Sequence, residues 1–172
     1  DLPLRQQTLR NTIAWSYNLL DGGEQKLFRS LSIFVGGCTL EALEAVCAIP
    51  GNASAGLVGS VLDGVASLLD KSLVPQTTQD GEQPRLLMLE TIREYGLEML
   101  ASSGEVEATC EAHALYYLTL AEQAEPQVLG PQQISWYERL EREHDNLRAA
   151  LSWFLKQGSD AHWSELALRL GG

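Results

Sequence analysis

The side chains able to do chemistry in this chain are few and dispersed. Its three histidines are His113, His144 and His162, and the densest acidic group beside one of them is Glu141-x-Glu143-His144-Asp145. On a helix Glu141 and Asp145 would share a face, but one imidazole among carboxylates lacks the ligand set and spacing of a zinc site. The group reads as a solvated helix face with a cap. His113 lies on an apolar stripe with no serine or cysteine nucleophile placed to use it, and reads as a satisfied core histidine. The three cysteines, Cys38, Cys47 and Cys110, are odd in number, lie in apolar helical contexts and show no C-x-x-C spacing, the pattern of reduced, buried thiols. Glycine clusters occur at Gly22-Gly23, Gly36-Gly37 and Gly51-x-x-x-x-Gly56. None is followed by Lys-Ser/Thr, and none gives G-x-G-x-x-G after a strand, so they read as turns and helix ends, not as phosphate cradles. The expectation is a chain that is not itself an enzyme and binds neither metal nor cofactor.

The elements that would hold these groups are mostly helices. Leu9, Ile13, Tyr17 and Leu20 recur at helical spacing and predict a helix over 5–20. Asp21-x-x-Glu24 is a capping signal for a second helix through Phe34, ended by Gly36-Gly37. Thr39 caps a short third helix with Leu40, Leu43 and Cys47 inward. Residues 50–56 form a loop, and a fourth helix covers about 57–72 with Leu57, Val61, Val65, Leu68 and Leu69 on one stripe. Leu73-Val-Pro-Gln76 and Leu86 to Leu89 read as the strands of a hairpin whose tip, residues 77–84, centres on Asp80-Gly81. The second strand passes directly into a helix, for which Thr91-x-x-Glu94 supplies a capping box. Beyond Ser102-Ser103-Gly104 everything is helical: Val106, Cys110, His113, Tyr117, Leu120 and Ala124 alternate by four and three. Three further helices follow, over 132–142, 145–157 and 160–170. No internal repeat recurs at a fixed period. Trp136, Tyr137, Trp153, Phe154 and Trp163 read as helix-interface packing.

The set of motifs carries a resemblance. Arg5-Gln-Gln-Thr-Leu-Arg-Asn-Thr-Ile-Ala-Trp-Ser-Tyr17, Leu27-Phe28-Arg29-x-Leu31-x-Ile33-Phe34, Met88-Leu89-Glu90 leading into Thr91-Ile-Arg-Glu-Tyr95, and Glu143-His-Asp-Asn-Leu-Arg-Ala-Ala-Leu-Ser-Trp153 span nearly the whole chain. Together they resemble the winged-helix region of STAND-type (NB-ARC) signalling ATPases, the group that includes ATPase-bearing bacterial transcription regulators of the LuxR and SARP types. The resemblance implies a mainly α fold: a winged helix with a small β-hairpin wing over 1–103, then the start of a tetratricopeptide-like solenoid over 104–172. It implies an ATP/ADP-switched protein that controls transcription. An upstream ATPase module in cis would bind the nucleotide, and further helical repeats downstream in cis would receive an inducer or protein partner. In the resembled family a Met-His-Asp triplet faces that nucleotide where strand meets helix. Met88 and Glu90 match its ends, but Leu89 replaces the imidazole. Arg93, a cation in the first helical turn, opposes the helix dipole, so it either pairs with Glu90 or Glu94 or reaches an anionic ligand. Met88, Leu89, Glu90 and Arg93 are therefore nucleotide-sensing candidates, with a plain structural junction as the alternative. At the far end Trp163, Leu166 and Leu170 form a stripe that a following repeat or partner would cover.

Composition bounds the rest. With 172 residues, 45% of them hydrophobic, the chain can build a real core in one domain or two small ones. Its net charge of −11 is spread over both halves, with no basic arm or stripe. Because nucleic-acid affinity draws on Lys and Arg replacing phosphate counterions, direct contact with nucleic acid is not expected, and the fourth helix reads as a packing helix. A free-standing DNA-binding winged helix and a helical adaptor without nucleotide are the rival readings. No apolar run approaches membrane-spanning length and no signal sequence is visible, so a bacterial cytoplasmic setting is expected. A chain that opens at Asp1 and closes on Gly171-Gly172 reads as an excised piece of a longer protein.

Overall fold

The computed structural model describes residues 4–48, 61–77, 84–157 and 161–171. It forms two compact units, Asp1–Thr109 and Cys110–Gly172.

The first unit contains α1 (Leu4–Asn18), α2 (Gly22–Leu31), β1 (Cys38–Thr39), α3 (Leu40–Cys47), α4 (Val61–Asp70), β2 (Gln76–Thr77), β3 (Arg85–Leu86) and α5 (Glu90–Ser103). The helix starts follow side-chain chemistry. Asp21 accepts from the Glu24 amide while the Glu24 carboxylate accepts from the Asp21 amide, a complete capping box for α2. Thr39 Oγ1 accepts from the Ala42 amide to start α3. The expected box at Thr91 and Glu94 does not form. Helix α5 begins two residues earlier than that pattern requires, which puts Leu89 at the cap, where its side chain offers no acceptor.

The sheet has three antiparallel strands in the order β1-β3-β2. Cys38 and Gln76 both pair with Leu86, and Thr39 and Thr77 both pair with Arg85. The strand pairing is shorter than the sequence implies: β3 ends at Leu86, and β1 belongs to a stretch read only as a turn and a cap. Gly37 makes β1 possible. Its φ is +84°, and a Cβ there would lie 2.5 Å from the Leu86 carbonyl oxygen, so only glycine lets the two strands meet. The expected hairpin tip at Asp80-Gly81 and the 50–56 loop lie outside the described residues.

One core unites these elements. Ile13, Tyr17, Leu27, Phe28, Phe34, Leu43, Val46, Leu68, Val74, Leu86 and Tyr95 are buried. Tyr17 packs on Phe28 at 5.3 Å and edge-on to Tyr95 at 5.7 Å between ring centroids, the tilted geometries aromatic quadrupoles favour. Leu9, expected inward, is exposed. Helix α5 approaches α2 closely because Gly96 lies where a Cβ would stand 2.7 Å from Ser32 Cβ. The unit is tied at its end by Arg29, whose guanidinium donates to Glu105 at 2.8 Å and to the Tyr17 hydroxyl at 2.9 Å.

Helix α6 runs Val106–Ala124, and its first turn packs with the winged unit, where Thr109 is buried. The second unit continues with α7 (Gln133–Arg142), α8 (His144–Lys156) and α9 (Ala161–Gly171). Its core is Ala114, Tyr117, Leu118, Leu120, Ala124, Ala150, Phe154 and Leu166. Helix α7 contributes no buried residue.

Candidate nucleic-acid interface and the Met88 to Arg93 corner

The order α2-β1-α3-α4-β2-β3, with residues 78–83 joining the last two strands, places α4 where a winged helix carries its recognition helix. Helix α4 is held from its inner side. Val65 and Leu68 are buried, and Glu24 at the start of α2 accepts from Ser67 and from Lys71 Nζ at 2.6 Å. Burial raises the pKa of the Glu24 carboxyl, but these bonds and the Asp21 amide outweigh it and leave it below its usual value. The helix ends in a Schellman motif: the Leu73 amide donates to the Leu68 carbonyl and the Ser72 amide to the Leu69 carbonyl, with Ser72 in the left-handed region at φ 56°. Glycine would be the unstrained residue there.

The outward face of α4 carries Leu62, Asp63, Ala66 and Asp70. Lys71 pairs with Glu24, and Arg85 donates to the Gly37 carbonyl at 3.0 Å, which braces β3 against the turn before β1. Arg10, paired with Glu98, lies 5.6 Å above the Tyr95 ring.

At the strand-to-helix corner Met88 is half-buried, while Leu89 is 63% exposed and Glu90 is exposed. Arg93 Nε donates to Glu90 Oε2 at 3.2 Å, and its Nη1 donates to the Ser32 carbonyl at 3.2 Å. The cation that opposes the α5 dipole is therefore balanced by the first residue of the helix and anchored to the end of α2. Glu94, the other expected partner, is exposed.

At the C-terminal stripe Leu166 is 6% exposed and belongs to the interior of its unit. Leu170 is half-buried, and Leu168 is 77% exposed. Helix α9 packs on α8. The Trp163 side chain lies outside the described residues.

The histidine-carboxylate group is a solvated face except at Glu143, since Glu141, His144 and Asp145 are exposed. Glu143 is only 4% exposed, and its Oε2 accepts from the Tyr117 hydroxyl and from Asn146 Nδ2, both at 2.9 Å. Asn146 Oδ1 stands 3.4 Å from His113 Nε2. Sequence reasoning missed this buried network. Its signal was the pairing of His113 and Tyr117 four apart on α6 with Glu143 and Asn146 three apart at the start of α8. Burial lowers the His113 pKa from 6.5 to about 4, against the opposing effects of Asn146 and Glu143, so the ring is neutral. His144 and Asp145 are exposed. Among the described residues no three His, Cys, Asp or Glu side chains converge as metal ligands, and no helix is long and apolar enough to cross a membrane.

Architecture and comparison agree on the class: residues 20–101 match the winged helix-turn-helix domain family, and this segment is such a domain. The chain is homologous to proteins provisionally named as HTH-type transcriptional regulators. It is 42% identical to Rv0890c of Mycobacterium tuberculosis strain H37Rv over 96% of this chain and 18% of that protein. The same values hold for Mb0914c of Mycobacterium bovis. The uncharacterized protein Rv0894 of M. tuberculosis is 36% identical over 60% of this chain and 25% of its own length. The chain thus spans less than a fifth of the longer relatives. No solved structure matches it.

These findings overturn one expectation. Direct nucleic-acid contact was excluded on net charge, yet the chain carries a winged helix-turn-helix domain and is homologous to proteins named as HTH-type regulators. Scarce positive charge, over the whole surface and on α4, weakens the counterion contribution but leaves shape and apolar base contact available.

Proposed function

We propose that the chain is part of a transcriptional regulator and that its winged helix-turn-helix domain meets duplex DNA, with α4 toward the major groove. The observation that carries this reading is the match of residues 20–101 to the winged helix-turn-helix family, with α4 in the recognition position. The relatives' names support it. Few cations adjoin α4, so counterion release contributes little and shape or apolar base contact contributes more: log affinity should fall against log salt with a slope of only about −1 to −2. Fluorescence anisotropy with duplexes selected from a random pool tests this. Saturable binding with that shallow slope is expected, tightened severalfold by Asp63→Asn. No saturable binding to any selected duplex at low salt would overturn the reading.

A second reading is favoured by the exposed corner of Leu89 and Glu90 with Arg93 behind it. In it the regulator is an ATP/ADP-switched STAND protein, nucleotide sits on a separate upstream module, and the Met88 to Arg93 corner senses its state. The helical second unit would begin a repeat region that relays that state to an inducer or partner.

A further inference from the structure

We infer that the cleft bounded by α3, α4 and β3 is a docking site for an amphipathic helix whose apolar stripe is flanked by lysine or arginine. The cleft encloses about 490 Å³, and its floor is Leu40, Leu62, Val65, Ala66, Leu69 and Leu86. Leu62 is 56% exposed and Ala66 is exposed. Leucine and alanine open to water along a helix otherwise well packed describe a helix-in-groove surface. From Leu62 to Leu69 the floor runs roughly 10 Å along α4, the length of about two turns of a docked helix.

Charge selects the occupant. Glu41 lies on the rim, Asp63 follows Leu62, and Asp70 ends α4. Among the described residues no lysine or arginine lines the cleft, and Lys71, at the end of α4, is paired with Glu24. The field at the cleft is negative, so it attracts a helix with basic flanks and repels an acidic one. The cleft opens on the face of α4 that DNA contact would use, so the two occupants exclude each other. That exclusion rests on the DNA reading above; the docking does not.

The test uses the whole chain and synthetic helical peptides of about four turns, with a leucine stripe flanked by lysine, or by glutamate as control. By fluorescence anisotropy the lysine peptide should bind in the micromolar range and the glutamate peptide at least tenfold more weakly. Ala66→Arg should weaken the lysine peptide at least tenfold with an unchanged melting curve. Leu62→Lys, at a site already open to water, takes its place if Ala66→Arg unfolds. Equal affinity for both peptides, indifference to both substitutions, no binding, or uptake of small apolar dyes alone would overturn docking. In a mixture with labelled duplex, the lysine peptide should displace the DNA. Peptide binding without any duplex binding overturns only the DNA reading; duplex binding without peptide binding overturns only the docking.

Discussion

Gly37 shows how much one residue can decide. Its neighbour Gly36 has a similar φ of +73° and open space where a Cβ would go, whereas a Cβ on Gly37 would strike the Leu86 carbonyl and side-chain atoms of Leu87. Gly36→Ala should therefore cost only the left-handed penalty, about 1 kcal/mol. Gly37→Ala adds displacement of β3 and should cost about 3 kcal/mol in all. Urea unfolding of the two variants checks the difference, and equal losses would mean that β3 yields freely. From sequence both glycines read alike, as the end of α2. What separates them is a strand far along the chain, and local pattern carries no word of it.

At the scale of elements, some boundaries were legible and others were not, for reasons the caps make plain. Asp21 with Glu24 and Thr39 announced α2 and α3 because each acceptor stands where its helix begins. Thr91 with Glu94 showed the same spacing, but packing of Ile92 and Tyr95 and the anchoring of Arg93 on Ser32 set the start of α5 ahead of them. The join of α6 to α8 was invisible, since burial of Glu143 depends on what covers it. That join makes a prediction. His113 titrates at about 4 in the fold, against 6.5 for the exposed ring. Its folded pKa is depressed, so the stability is whole above pH 6.5 and drains as pH falls toward 4. About 2 kcal/mol should be lost between roughly pH 6.5 and 5, above the range in which Glu24, Glu98 and Glu105, all lowered, take up protons. Denaturant unfolding in a Trp15→Phe background, followed by the tryptophans of the second unit, should show this slope and its disappearance in His113→Gln. A persistent slope in that variant would assign it to another group.

At the scale of the molecule, the winged-helix class was readable because several weak motifs recur together along the chain, while the interface was misread because scarce positive charge, overall and on the fourth helix, was taken to exclude contact with nucleic acid. The nucleotide reading of the corner also belongs to this scale, since its consequence exists only in a full-length regulator. Within this chain Glu90→Ala removes an exposed pair with Arg93 and a favourable charge in the first turn of α5, worth about 1 kcal/mol or less. If the corner senses nucleotide, the same change in the full-length protein should lower ADP affinity and raise inducer-independent reporter output severalfold. Unchanged affinity and output, with folding intact, would leave the corner as architecture.

Helix α7 buries none of its residues, and it is followed at once by α8, whose Asn146, Ala150 and Phe154 are fully enclosed. The two helices are neighbours in the chain but unequal in what their melting would uncover. Opening α7 uncovers less apolar surface than opening α8, so it should unravel and re-form more often, at a lower free energy. The helix is held by its own hydrogen bonds, by the Trp136–Arg139 stack and by its contact with α8, with Leu140 half-buried.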